Sequence, residues 1–357
     1  MSVRIGETEV GSGSRSIVDL HIATMASGSA LTIPVHVIVG RRPGPRLVLI
    51  STQHGEELGP LSSLREIVAQ LDPESLAGSV LVVPVANPIA FEHQQRSTWI
   101  DTNRGGSTGN LNRVWPGKPR GFITERIAHE LCREVMAAAD CVIDYHGSTV
   151  GGVMLYYAYI VPDNGTALSK MNRELALAFG MEIYMMRPDR QPGGGMSLSD
   201  YVYFELKKSC VVVEVGEFYG FGGDGGSDRR EPLRTVPELG VTGTLNVMRK
   251  LGMLTGEITR PRRQVIVRPE TRCQPSQGGL LEALVTRRDI GTVFPRGTIL
   301  GRIVSPYTFK VLDEIRAPYK QNLLVSASDS YPFQRVNPGD QGFHVADYAT
   351  AEWIENA

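Results

Sequence analysis

The feature that most constrains this chain is a set of short, almost uninterrupted apolar runs. They are Leu47-Val48-Leu49-Ile50, Val80-Leu81-Val82-Val83-Pro84-Val85, Cys141-Val142-Ile143-Asp144-Tyr145 and Cys210-Val211-Val212-Val213-Glu214-Val215. Runs of this kind have no polar face to show to water, so they predict strands buried on both sides. Stretches of helical apolar spacing lie among them, over 58–71, 124–139, 168–179 and roughly 241–251. Thr124 is the expected N-cap of the second helix, and His129 falls on an exposed or edge position of it. Val18–Ile22 and Leu31–Val39 alternate polar with apolar residues and predict two further strands, with His21 and His36 on their surface. The pattern as a whole predicts an α/β fold with a largely parallel or mixed sheet flanked by helices. After Gly256 the texture changes to a Pro-containing basic linker, then short β-like pieces over 264–267, 279–285, 298–303, 309–315 and 322–325. Residues 1–258 are therefore expected to form one α/β domain and 259–357 a smaller all-β barrel or sandwich.

Composition narrows the class of function. The 357 residues carry a net charge of −1, which argues against nucleic acid or an anionic membrane as a partner. Met1 to Val10 has no apolar h-region, so no signal peptide is expected, and no apolar run reaches membrane-spanning length. Cys132, Cys141, Cys210 and Cys273 form no C-x-x-C pair and are expected as buried free thiols. A cytoplasmic protein is the default expectation.

Chemistry enters where the apolar runs end. His54 and Glu57, in H-x-x-E spacing, follow the run that ends near Thr52. Such a pair alone means little in a chain with seven histidines. However, His146 follows Cys141–Tyr145, and Glu214 lies near the end of Cys210–Val215. In an open α/β sheet ligands bind outside the carboxyl ends of the strands, so three strands aim metal-type side chains at one crevice. Two His and one Glu, with a fourth position for water, is a catalytic zinc set. A carboxylate that is not a ligand must then move the proton, and Glu214 is the candidate base. Glu217 is its rival, and a buried ion pair with an arginine is the structural alternative for Glu214. Between Asn87 and Gly117, a Gly-rich, poorly periodic stretch carries Arg96, Asn112 and Arg113, donors suited to a carboxylate or an oxyanion.

These residues carry a resemblance. His54-Gly55-Glu56-Glu57, Asn87-Pro88, the stretch Asn110 to Gly117, Ile143-Asp144-Tyr145-His146-Gly147 and Glu214-Val215-Gly216 occur in the order seen in the succinylglutamate desuccinylase/aspartoacylase family. The similarity spans roughly residues 15–330. Gly297–Gly301 and Ile315–Pro318 resemble the family's C-terminal β part. It implies a zinc-carboxypeptidase-like fold and one zinc ion per chain on His54, Glu57 and His146. Glu214 would be the general base, and Arg96 would polarise the scissile carbonyl. Asn112 and Arg113 would bind the carboxylate or polar end of a small N-acylated substrate, and Asp144 would orient His146 or support the loop. The activity implied is deacylation of an N-acylated amino acid or related amine, with a metallocarboxypeptidase as the alternative. A homo-oligomer is compatible with the family.

The stretch between Arg96 and Asn112 looks longer than the compact family version, and Asn103-Arg104 competes for a substrate-binding role. Tyr156, Tyr157 and Arg187 are further pocket candidates. The Gly-rich segments at 191–196 and 220–226 lack the Gly-Lys-Ser/Thr of a phosphate loop. Lys310 and Lys320 sit in no carrier-protein motif, which leaves a lipoyl-type carrier without support.

Overall fold

A computed structural model of the chain describes residues 2–102, 109–148, 152–186, 195–215, 236–268, 270–328 and 333–356. Its centre is a ten-stranded sheet. The strand order is Glu352–Glu355, Arg263–Val267, Ile183–Met186, Tyr157–Ile160, Ser209–Glu214, Cys141–His146, Arg42–Ile50, Ala77–Val83, Ala30–Val39 and Ser14–Thr24. The four middle strands, from Ser209–Glu214 to Ala77–Val83, run parallel to one another. The outer pair on the Ala30–Val39 side is antiparallel, as is the contact between Tyr157–Ile160 and Ser209–Glu214. Every residue of Ala77–Val83 and of Cys141–His146 is buried, as their lack of a polar face requires.

The two faces of the sheet are covered differently. Leu47, Leu49, Val80, Val82, Ile143, Tyr145, Val211 and Val213 point to one face and pack with the helices Gly59–Gln70, Ala167–Phe179 and Val236–Lys250. The other face has two coverings. Val48, Ile50, Val142 and Val212 pack under Ile127, Leu131, Val135 and Met136 of the helix that starts at Ile123. Tyr157, Ile183, Met185, Val265 and Val267 pack instead against Leu300, Ile303, Leu323, Phe343 and Val345 of the C-terminal β unit. That unit comprises two antiparallel sheets, one of Val311–Arg316, Ile299–Val304, Gly279–Ala283 and Gln334–Val336. The other is Glu270–Cys273, Phe343–Asp347, Gln321–Ser328 and Val293–Pro295.

The expected all-β C-terminal part is thus present, but the boundary at 258/259 does not divide the strands cleanly. Arg263–Val267 and Glu352–Glu355 lie at the edge of the large sheet, while Gly152–Met154 pairs with Gln321–Ser328. The amphipathic helix expected over 124–139 begins at Ile123 and becomes a π turn over Cys132–Met136. Thr124 is not its cap; Phe122 holds that position, and Asp101 accepts from both the Thr124 N–H (2.8 Å) and its hydroxyl (2.5 Å). A carboxylate at a helix N-terminus meets both the orphan N–H groups and the dipole, which a hydroxyl cannot match. The last helix starts at Val236, five residues before the expected point, and Pro237 fits a first turn. All four cysteines are buried and free, as expected. Among the described residues no helix is long and apolar enough to cross a membrane.

Candidate active site

The parallel strands deliver their carboxyl-terminal residues to one place. His146 and Glu214 are register partners in the parallel pair Cys141–His146 and Ser209–Glu214, so both side chains leave the sheet on the same side. The turn after Ile50 brings in His54 and Glu57. Thr52, just ahead of them, has φ of 54°, an uncommon conformation for a β-branched residue, so backbone strain is stored where the chain leaves the strand. Gly55 is required next: a Cβ there would lie 2.0 Å from the Ala90 carbonyl carbon in the helix Pro88–Glu92. That helix is pinned in turn by Asn87, whose Oδ1 accepts from the Ala90 N–H (3.2 Å) and the Thr98 hydroxyl (2.9 Å). This fixes the segment carrying Arg96.

His54, Glu57 and His146 are all buried, and a ligand atom from each lies within 4.8 Å of the others. Glu57 bridges the two rings, with Oε1 2.7 Å from His54 Nδ1 and Oε2 2.9 Å from His146 Nδ1. The other ring nitrogens are held from behind. His54 Nε2 is 3.2 Å from Asn110 Oδ1, and His146 Nε2 is 3.3 Å from the buried Asp144 Oδ2. Asp144 Oδ1 accepts from Gln53 Nε2 (2.7 Å), and Gln53 Oε1 accepts from the Trp115 indole N–H (2.9 Å). Both Nδ1 atoms therefore face Glu57, while polar groups behind each Nε2 hold the ring orientation, as a metal-ligating imidazole needs.

Charge makes the same point. Burial alone would raise the Glu57 carboxyl, yet the two imidazoles reverse this and hold it below its usual range. Burial lowers His54 despite Glu57. For His146, burial also acts downward, but Asp144 and Glu57 outweigh it and hold the ring well above its usual value. Two buried carboxylates around two imidazoles form a site that asks for a cation, and nitrogen plus carboxylate donors in this number suit zinc.

Around the cluster, Arg96 Nη1 donates to Glu57 Oε1 (3.1 Å) and lies 3.9 Å from Glu56. Asn112 Oδ1 accepts from the Leu198 N–H (2.9 Å), which fixes its amide so that Nδ2 sits 3.2 Å from His146 Nε2. Arg113 is half-buried and donates to the Asn112 carbonyl (2.6 Å). Burial pushes its guanidinium down; Arg96 and Arg272 push the same way, and Asp200 and Tyr159 partly offset them. Tyr156 and Tyr157 are buried, and the Tyr157 hydroxyl lies 3.3 Å from that of Tyr159. Glu217, Asn103, Arg104, Arg187 and most of the two Gly-rich segments lie outside the described residues.

The structure thus brings together His54, Glu57, His146, Arg96 and Asn112, places Glu214 beside His146 in register, and sets Arg113 next to Asn112. Sequence reasoning assigned no role to Gln53, Asn110, Asp200, Tyr159 or Arg272. Gln53 directly precedes His54 and Asn110 opens the stretch that runs to Gly117, and their polarity beside His54 and Asn112 was the available signal. The loop 195–198 is stitched to this region, since the Trp115 N–H donates to the Met196 carbonyl (3.2 Å). Gly195 has φ of 96°, and a Cβ there would lie 1.9 Å from the Arg113 carbonyl oxygen. Gly195→Ala should displace the Asn112–Arg113 turn and lower kcat/KM by roughly a hundredfold; unchanged steady-state kinetics would exclude this bracing.

Comparison with known proteins agrees with this geometry. Residues 43–231 match the model of the succinylglutamate desuccinylase/aspartoacylase catalytic domain. The N-alpha-acetyl-L-2,4-diaminobutyric acid deacetylase of Halomonas elongata is 29% identical over 282 residues, covering 77% of this chain and 74% of that protein. The fold is that of a solved succinylglutamate desuccinylase from Silicibacter sp. TM1040, with TM-score 0.75 at 23% identity and 94% of each chain covered. It is also that of the ectoine utilization protein EutE from Ruegeria pomeroyi, with TM-score 0.75, 24% identity and coverage of 94% and 95%. The chain belongs to the succinylglutamate desuccinylase/aspartoacylase family, whose members are hydrolases of N-acyl amide bonds.

Proposed function

We propose that this chain is a zinc-dependent deacylase that cleaves the amide of an N-acylated amino acid or a related small amine. The observation that carries the reading is the buried His54, Glu57 and His146 cluster with Glu214 in register beside it. His54, Glu57 and His146 would hold one zinc ion per chain, which would supply a water of lowered pKa and a Lewis acid for the acyl carbonyl. Glu214 takes a proton from the attacking water and returns it to the amide nitrogen as the C–N bond breaks, so a carboxylate and an amine leave. Arg96, fixed by Glu57, donates to the carbonyl oxygen as it gains negative charge. The Asn112 amide, locked by the Leu198 N–H, and the Arg113 guanidinium hold the substrate's carboxylate.

The Halomonas relative acts, by its name, on an N-acetylated diamino acid, which makes that class the first substrate to test. Zinc-loaded protein should release amine from one of a panel of N-acetyl, N-succinyl and N-formyl amino acids and diamino acids. Preferential turnover of dipeptides would favour the carboxypeptidase alternative, and no turnover of either class would refute the reading.

A further inference from the structure

His146 is held by side chains from two other parts of the chain. Its Nδ1 faces Glu57, while Nε2 lies 3.3 Å from Asp144 Oδ2. Asp144 is set in turn by Gln53, whose Nε2 donates to Asp144 Oδ1 at 2.7 Å. A carboxylate is planar, so holding one oxygen decides where the other points. Gln53 Nε2 is farther from the imidazole itself, 3.5 Å from His146 Nε2, so its strong partner is the charged carboxylate. The backbone beneath is fixed too, because the Asn87 side chain donates to the Gln53 carbonyl (3.4 Å).

Trp115 decides which way the Gln53 amide faces. An indole N–H can only donate, and an ionised carboxylate can only accept. Trp115 Nε1 sits 2.9 Å from Gln53 Oε1, which leaves the Nε2 hydrogens for Asp144. Turning the amide over would set oxygen against carboxylate and N–H against N–H, two repulsive contacts at once. Gln53, Trp115, Asp144 and His146 are all buried, so a lost partner is not simply replaced by solvent. The chain of bonds thus has a fixed polarity, from indole to amide to carboxylate. Its far end lies in the substrate-binding stretch: Trp115 follows the Leu111–Arg113 turn, and Asn112 of that turn also reaches His146, with Nδ2 3.2 Å from Nε2.

We infer that Gln53 is a positioning residue that couples the Asn112–Arg113 turn to the metal ligand His146, with Trp115 as the donor that sets its direction. This rests on the reading of His146 as a zinc ligand. Neither Gln53 nor Trp115 touches the ion; both act on it through Asp144.

The test measures zinc affinity by chelator competition, and the visible spectrum of the cobalt(II)-substituted protein, for wild type, Gln53→Met, Trp115→Phe and the double variant. Gln53→Met keeps length and removes both hydrogen bonds, and should raise the zinc Kd by roughly tenfold to a hundredfold. Trp115→Phe should raise it less, roughly threefold or more, because Gln53 stays but loses its direction. The double variant should match Gln53→Met alone, and both single variants should shift the cobalt spectrum. Melting temperatures that fall while zinc Kd and cobalt spectrum stay at wild-type values would overturn the inference and leave Gln53 a purely structural residue. Additive losses of affinity in the double variant would equally overturn the coupling through Gln53. Should Gln53→Met fail to fold, Trp115→Phe decides by the same two readouts. A wild type that binds no zinc would overturn the metal reading and this inference together, whereas unchanged variants overturn this inference alone.

Discussion

Replacing Glu214 with alanine should leave zinc bound and lower turnover by roughly 10²–10⁴-fold, the range a positioned general base supplies. The physical ground is register. Glu214 is the partner of His146 across a parallel pair, so it is held beside the His54, Glu57 and His146 cluster by strand geometry. It is also half-buried at the end of a strand whose other residues are apolar and buried, a costly place for a carboxylate without a task. Substitution by glutamine keeps shape and removes basicity, so it should be nearly as damaging as alanine. Metal analysis of the purified variants, beside steady-state rates on the best wild-type substrate, separates loss of base from loss of metal. Retained turnover in both variants would transfer the role to another group, Glu217 first.

His146→Ala should have the second large effect, on metal and on stability together. The ring lies between Glu57 Oε2 at 2.9 Å and Asp144 Oδ2 at 3.3 Å, all three groups buried. Removing it leaves two buried carboxylates facing each other without the cation they surround. Breaking a buried charge pair in this way costs about 3–5 kcal/mol. The variant should therefore be isolated without zinc and melt well below wild type. Wild type treated with a chelator is the matching control: it keeps His146, so it should lose activity while staying folded. A variant that binds zinc normally would remove His146 from the ligand set.

Much of this was legible because the chemistry sits on the regular part of the fold. The strands that hold His146 and Glu214 are continuous apolar runs, and their polar last residues stand out against them. His54 and Glu57 are on a turn, but the turn follows such a run directly. The C-terminal strands were legible as pieces, because Gly and Pro separate them. What the sequence hid was long-range pairing. Tyr157–Ile160 and Ile183–Met186 are four-residue strands whose identity depends on the neighbours they meet. Nor does local patterning reveal that Gln53 would bridge Trp115 to Asp144.

The exchange of strands across the expected boundary has a consequence for how the molecule comes apart. Gly152–Met154 is hydrogen-bonded into the C-terminal sheet, while Arg263–Val267 and Glu352–Glu355 complete the edge of the large one. Neither half can melt without stripping strands from the other, so denaturant should unfold both in a single transition. Such non-local pairings also make folding slow, since long loops must close before these contacts form. The C-terminal unit and the His54, Glu57 and His146 cluster are then tied to one folding event, so a destabilising change in the β unit should weaken zinc binding as well.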